Sequence, residues 1–261
     1  MKKKEIIKYI SNWLNKYCEQ ANQKGFIIGI SGGIDSALTS TLCALTGKNI
    51  LLVSMPIRQR QSEYQRALKH IEFLKKNYNN IESIDIDLTN TFEVFEKTIP
   101  NRTLENKLAM ANSRSRLRMT TLYAIGQANG LLVAGTGNKI EDFGVGFYTK
   151  YGDGGVDLSP IADLTKTQVR QLAQELKINE DILSAEPTDG LWDEEGRNDE
   201  NQIGASYPEL EWAMEFIESN TKKELTSREK EVLSIYLRLN KQNKHKMTPI
   251  PVCEIPKELF N

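Results

Sequence analysis

Residues 29–36 read Gly29-Ile30-Ser31-Gly32-Gly33-Ile34-Asp35-Ser36, between the short apolar run Phe26–Ile30 and the apolar helical stretch Ala37–Leu45. A strand therefore delivers the chain, through a glycine turn, to a helix N-terminus, where unpaired N–H groups and the helix dipole favour an anion. Gly32 and Gly33 let backbone approach phosphate oxygens with no Cβ in the way, and Ser31 and Ser36 add hydroxyl donors. The loop has no Gly-Lys-Ser/Thr and is not a Walker A motif, and its glycine spacing differs from GxGxxG. Asp35 is the informative residue. A carboxylate beside phosphate is repelled unless a divalent cation bridges the two, so Asp35 implies Mg²⁺. The plain alternative is a capped helix after a tight turn, with Asp35 serving only the dipole.

Further along the chain stand Asn112-Ser-Arg-Ser-Arg116-Leu-Arg118-Met119, Gly135-Thr136-Gly-Asn138-Lys139, Thr149-Lys150-Tyr-Gly-Asp153-Gly-Gly155, Pro160-Ile-Ala-Asp-Leu-Thr-Lys166 and Glu186-Pro187-Thr188. Asp199-Glu200, Gly204-Ala-Ser206-Tyr207 and His245-Lys246 follow. Lys166 is the kind of mobile point charge that stabilises a departing pyrophosphate. Arg114, Arg116 and Arg118 alternate at i, i+2, i+4 and cannot all face one site from a helix.

The Ser-Gly-Gly-x-Asp-Ser loop resembles that of the N-type ATP pyrophosphatases, which adenylate a substrate and release pyrophosphate. The later motifs, over residues 26–250, occur in the order seen in ammonia-dependent NAD synthetases. The resemblance implies an adenine nucleotide alpha-hydrolase-like fold. It places ATP on Gly29, Ile30, Ser31, Gly32, Gly33, Ile34, Asp35, Ser36, Thr136, Lys166 and Thr188, with Asp35 and Lys166 the catalytic residues. It places Mg²⁺ on Asp35 and Glu141. Between Thr136 and Lys150 this sequence carries one residue more than some relatives, which makes Asp142 a rival to Glu141. Deamido-NAD is assigned to Arg116, Lys150, Asp157, His245 and Lys246, while Arg114 and Arg118 are left as solvated or salt-bridged. The implied reaction joins the deamido-NAD carboxylate to AMP, then lets ammonia displace AMP to give NAD. Glutamine-dependent relatives carry a separate glutaminase domain, for which this chain has no room, so free ammonia is the expected nitrogen donor. Two alternatives stay open. Another N-type pyrophosphatase, such as a GMP synthetase core, is opposed by Thr149–Gly155 and His245-Lys246. A non-catalytic adenine-nucleotide sensor has no need of Asp35 and Lys166.

The elements that must carry these residues alternate. Amphipathic spacing of Ile6, Ile10, Trp13, Leu14 and Tyr17 predicts a first helix. Apolar runs predict strands at Phe26–Ile30, Ile50–Met55 and Leu131–Ala134, and Ile84, Ile86 and Leu88 alternate as in a half-buried strand. Helices are predicted at Ala37–Leu45, Gln61–Lys76, Leu104–Ala128 and Asp163–Leu176, then two more, the second opening with the capping box Thr226-Ser-Arg-Glu229. This is the pattern of a doubly wound parallel α/β sheet, read as one domain over residues 1–261. Residues 135–157 are predicted as a long functional loop, and residues 186–207, which include Asp189, Asp193, Glu194, Glu195, Asp199 and Glu200, as a solvated one. Residues 245–256, with Pro249, Pro251 and Pro256, are predicted to be extended. His70 reads as a surface histidine.

The 34 basic and 35 acidic residues nearly cancel, so no global field points to nucleic acid or a membrane surface. No stretch has the roughly 18–20 apolar residues of a membrane span, and Cys18, Cys43 and Cys253 form no CxxC pair. Reduced thiols and the lack of a cleavable leader predict a cytoplasmic protein. Apolar residues on more than one side of the long helix (Leu108, Met119, Leu122, Tyr123, Ile125) add to the resemblance in predicting a homodimer. The competing explanation is that Trp13 and Tyr17 cover the second side within one chain.

Overall fold

The buried apolar runs pair into one sheet in the computed structural model, which describes residues 1–188, 190–192, 198–219 and 223–260. Strands β1 (Gly25–Gly29), β2 (Asn49–Ser54), β3 (Ile81–Asp85) and β4 (Leu131–Val133) are all parallel, in the order β3-β2-β1-β4. Parallel strands need crossovers. After α1 (Lys3–Gln20), which precedes β1, they are made by α2 (Ile34–Ala44), α3 (Gln61–Asn77) and the run α4 (Thr89–Thr98), α5 (Asn101–Leu104) and α6 (Lys107–Asn129); α7 (Lys166–Glu175) and α8 (Glu180–Leu183) follow β4. Helices α9 (Asp199–Ile203), α10 (Tyr207–Ser219) and α11 (Ser227–Met247) complete the chain, with a short 3₁₀ turn at Lys257–Leu259.

Successive residues of a strand serve opposite faces. Phe26 and Ile28 pack in a core with Leu14 of α1, Leu38 and Leu42 of α2, Leu74 of α3 and Leu172 of α7. Ile27, Leu51 and Val53 pack on the other side with Phe92 of α4 and Met110 of α6. A third cluster joins α10 and α11 to the turn Ile140–Val145.

Several expectations change. The strand predicted from Ile84, Ile86 and Leu88 ends at Asp85, but the Ile86 and Leu88 N–H groups go on donating to Ser54 O and Pro56 O, at 2.9 Å each. The alternation marked real burial past the strand's end. Helix α7 starts at Lys166 and not at Asp163, because Thr165 caps it in a reciprocal box with Gln168. The Thr226–Glu229 box at α11 is present as predicted. That helix runs to Met247, so His245 and Lys246 lie in its last turn and only the residues beyond are extended. His70 is fully buried, not on the surface, because it shares the inward stripe of α3 with Ala67, Ile71 and Leu74. In the acidic stretch, Asp199 and Glu200 open α9, with Asp199 buried. Asp189, Asp193, Glu194 and Glu195 lie outside the described residues. Helix α1 packs on α2 and α7. Among the described residues no helix is long and apolar enough to cross a membrane.

Candidate active site

In the order β3-β2-β1-β4, the chain leaves β1 toward β2 on one side and returns to β4 on the other. The crevice outside the carboxyl ends of β1 and β4 is thus the topological switch point, where open α/β sheets bind ligands. The loop after β1 carries Ser31–Asp35 into it, and the loop after β4 carries Thr136–Glu141.

The first loop is held by its own hydroxyls. Gly33 N–H donates to Ser31 Oγ (3.2 Å), Ser36 Oγ donates to Gly33 O (3.0 Å), and the two serine oxygens are 3.1 Å apart. Gly32 has φ +85°, and a Cβ there would collide with Glu63 O of α3, so only glycine fits. Helix α2 begins at Ile34 with no side chain capping it, which leaves its N-terminus to an anion. Arg66 Nε donates to Gly32 O (3.2 Å) and brings a fixed positive charge beside the loop.

Across the crevice, Asn138 Nδ2 donates to Asp35 Oδ1 (3.2 Å), while Asn138 Oδ1 accepts from the Ile140 and Glu141 N–H groups (3.1 Å each). One buried amide thus ties the two loops together. Lys166, at the first position of α7, puts Nζ 2.5 Å from Asp35 Oδ2 and 3.0 Å from Glu141 Oε1. These side chains are only 10% (Lys166) and 16% (both acids) exposed. Burial alone lowers the Lys166 pKa, but Asp35 and Glu141 outweigh it and hold the ammonium above its ordinary value. Tyr207, at the start of α10, donates to Glu141 Oε1 (2.5 Å), and its ring lies 4.7 Å from Lys166 Nζ.

Glu141 and Asp142, the two rival carboxylates, face different surroundings. Ile140–Val145 is a π-helical turn, the form in which a helix takes up one extra residue, often at a functional site. Glu141 faces Lys166, while the Asp142 carboxylate sits against Gly137, where any Cβ would strike it. Burial first, then the neighbouring carboxylates of Glu141, Asp153 and Asp35, push the Asp142 carboxyl well above the usual range.

One cleft is lined by Gly29, Ile30, Ser31, Gly33, Ile34, Asp35, Ser36, Thr136, Glu141, Lys166 and Thr188. The predicted nucleotide residues therefore converge, Gly32 alone lying behind the wall. Thr188 Oγ1 donates to buried Glu63 Oε1 (2.9 Å), which fixes the segment after α8 against α3. The cleft also uses Gln59, Glu63, Arg66 and Arg118, which sequence reasoning did not select. Arg118 is not a solvated arginine: it donates to Met55 O (2.9 Å) and Gln59 Oε1 (3.0 Å). Arg114 is buried, with Nη1 on Leu191 O (2.9 Å) and the guanidinium 5.0 Å from the Phe92 ring centre. Both belong to the inner side of α6.

The residues predicted for deamido-NAD form a second group outside the cleft wall. Arg116 Nε donates to Lys150 O (3.3 Å), and Lys150 Nζ donates to His245 O (2.8 Å). Lys246 Nζ donates to Tyr148 O (2.7 Å) and to Gly146 O, so the end of α11 is tied to the loop after the π turn. Asp157 is not brought to them. Its carboxylate accepts from Val133 N–H (2.8 Å) and Tyr123 OH (3.0 Å), and this holds the chain at the edge of β4. Thr149 and Asp153 are anchored on α6: Thr149 Oγ1 donates to Asn112 Oδ1 (2.6 Å), and Ser115 Oγ to Asp153 Oδ1 (2.7 Å).

Residues 6–250 match the sequence model of the NAD synthase family. The chain belongs to the NAD synthase family. An NH₃-dependent NAD⁺ synthetase of Mycoplasmopsis pulmonis is 42% identical over 204 residues, covering 78% of this chain and 76% of the relative. One of Sulfurisphaera tokodaii is 33% identical, covering 98% and 91%. Among solved structures, an NMN synthetase of Francisella tularensis superposes with a TM-score of 0.83 at 30% identity, covering 98% of this chain and 99% of that one. NH₃-dependent NAD synthetase of Campylobacter jejuni gives 0.79 at 25% identity, covering 97% and 100%. As a member of the NAD synthase family the chain is a ligase that forms a C–N bond, making NAD with ATP as co-substrate and ammonia as nitrogen source. Its fold is the adenine nucleotide alpha-hydrolase-like one of these neighbours.

Proposed function

We propose that the cleft at the switch point binds ATP with Mg²⁺ and adenylates the carboxylate of deamido-NAD, which ammonia then converts to the amide. The observation that carries this reading is the ammonium of Lys166 shared by Asp35 and Glu141 beside an uncapped helix N-terminus. Two buried carboxylates that converge on one cation fit Mg²⁺, which takes one or two carboxylates and completes its shell with substrate phosphates and water. Bound there, the ion would neutralise phosphate charge and polarise the α-phosphorus. Asp35 and Glu141 hold it. The loop amides, Ser31 and Ser36 orient the phosphates, and Lys166 offsets the charge on departing pyrophosphate. An oxygen of the substrate carboxylate bonds to the α-phosphorus as the bond to pyrophosphate breaks. Ammonia then bonds to the acyl carbon, AMP leaves with the former carboxylate oxygen, and the nitrogen loses a proton to solvent.

Arg116, Lys150, His245 and Lys246 form the reading's dinucleotide group, with Asp157 at the edge of β4. We take residues 1–261 as one domain in a cytoplasmic homodimer. Leu122, Tyr123 and Ile125 pack within the chain, but Leu108 of α6 and Leu104 of the adjoining α5 stay exposed, and two-fold dimers are the commonest soluble oligomers. Free Cys18, Cys43 and Cys253 suit a reducing compartment. The high similarity to an NMN synthetase favours a second reading of the substrate, the carboxylate mononucleotide in place of the dinucleotide. Pyrophosphate release with ATP, Mg²⁺, ammonia and either nucleotide tests both. Release with deamido-NAD only supports the first reading, release with the mononucleotide only supports the second, and release with neither rejects both.

A further inference from the structure

Glu141 carries both of its side-chain donors on one oxygen. Lys166 Nζ (3.0 Å) and Tyr207 OH (2.5 Å) both reach Oε1, and among the described residues no donor reaches Oε2. We propose that Tyr207 is a positioning residue, which fixes the Glu141 carboxylate through Oε1 so that Oε2 remains for the metal, and which seats Lys166 on its ring. The inference rests on the reading of Asp35 and Glu141 as the metal pair.

The chemistry of the phenol suits this role. A hydroxyl orients a carboxylate without discharging it, so the full negative charge remains for a divalent cation, whereas a second lysine or arginine would compete with the ion. The ring gives Lys166 a further contact at 4.7 Å, an attraction that persists when metal takes over the carboxylates.

The mounting is rigid. Tyr207 is 3% exposed, in the cluster with Leu210, Ala213 and Ile140. Its N–H donates to Glu200 Oε1 (2.8 Å), while Ser206 N–H and Oγ donate to Glu209 Oε2 (2.8 and 3.0 Å). Glu209 is in turn held by Arg228 of α11 (2.7 Å). Because the π turn gives Glu141 a non-standard helical setting, its carboxylate direction is set from outside the turn, by Tyr207.

The test titrates Mn²⁺ with α,β-methylene-ATP into the full-length chain and follows bound ion by electron paramagnetic resonance. Tyr207→Phe, which keeps the ring, is expected to weaken Mn²⁺ binding about tenfold or more, the usual cost of losing a ligand's outer partner. Its melting temperature should match that of Tyr236→Phe, a control in the same cluster that leaves Mn²⁺ binding unchanged. The Mg²⁺ concentration for half-maximal turnover should rise by the same factor, with the rate recovering at saturation. Glu141→Gln should weaken Mn²⁺ further, without recovery. Intact Mn²⁺ affinity in Tyr207→Phe beside a loss in Glu141→Gln would overturn the positioning role and leave the metal pair standing. Intact affinity in both removes the metal pair, and the inference with it. Equal losses in Tyr207→Phe and Tyr236→Phe would make Tyr207 a packing residue only.

Discussion

Replacing Lys166 by Met removes the cation that Asp35 and Glu141 share while nearly preserving side-chain length. The oxygens that share the ammonium, at 2.5 and 3.0 Å from it, are then no more than about 5.5 Å apart, the sum of the two distances. At an effective dielectric of about 20, two like charges at that separation repel by about 3 kcal/mol. That agrees with the ~3–5 kcal/mol lost on breaking a buried pair from one side. The ligand-free variant should therefore unfold in urea with about 3 kcal/mol less stability than wild type when Mg²⁺ is chelated. Mg²⁺ should restore much of the loss, because it replaces the missing charge, and it should bind the ligand-free variant more tightly than wild type, where Lys166 competes. Turnover should stay low even at saturating Mg²⁺, since the charge facing pyrophosphate is gone. Urea unfolding by circular dichroism, with EDTA and with excess Mg²⁺, reads both effects. A variant as stable as wild type in EDTA, or one indifferent to Mg²⁺, would refute the reasoning.

Two further outcomes follow from the same geometry. Glu141→Gln should raise the Mg²⁺ requirement for turnover far more than Asp142→Asn, and equal small shifts in a Mg²⁺ titration would count against Glu141. His70, whose Nε2 is 2.9 Å from Ser40 Oγ, is held by burial at a pKa of about 4, so the unfolded chain takes up a proton below about pH 6.5 that the folded chain refuses. Its contribution is complete above that pH and is lost as pH falls toward 4, about 2 kcal/mol by pH 5. Urea stability at pH 7.5 and 5 should show that difference between wild type and a His70→Asn variant, and parallel pH profiles would contradict it.

What the sequence revealed depended on how local the cause was. Strands β1 and β2 are buried on both faces, so they read as plain apolar runs, and the edge strand β4, partly buried, reads as one too. The loop at Ser31–Ser36 was legible because a strand, a glycine turn and a helix start are contiguous. Lys166, Thr136 and Thr188 came from family resemblance, and each lines the cleft. The tie from Asn138 to Asp35 spans 103 residues and that from Tyr207 to Glu141 spans 66, and no spacing rule reaches so far. Alternation on a helix allows only part of an arginine run to face one site, and the family resemblance selects Arg116. The rule was right, but α6 turns Arg114 and Arg118 inward and leaves Arg116 exposed. His70 could have been placed correctly from its position three residues after Ala67 and four before Leu74. The π turn left no local signature beyond one residue too many.

The central claim, transfer of a carboxylate oxygen to AMP, is tested most directly with deamido-NAD labelled with ¹⁸O in its nicotinate carboxylate. After turnover with ATP, Mg²⁺ and ammonia, mass spectrometry should find one ¹⁸O in AMP and none in pyrophosphate. Unlabelled AMP, or ADP and phosphate as products, would contradict an acyl-adenylate route through this cleft.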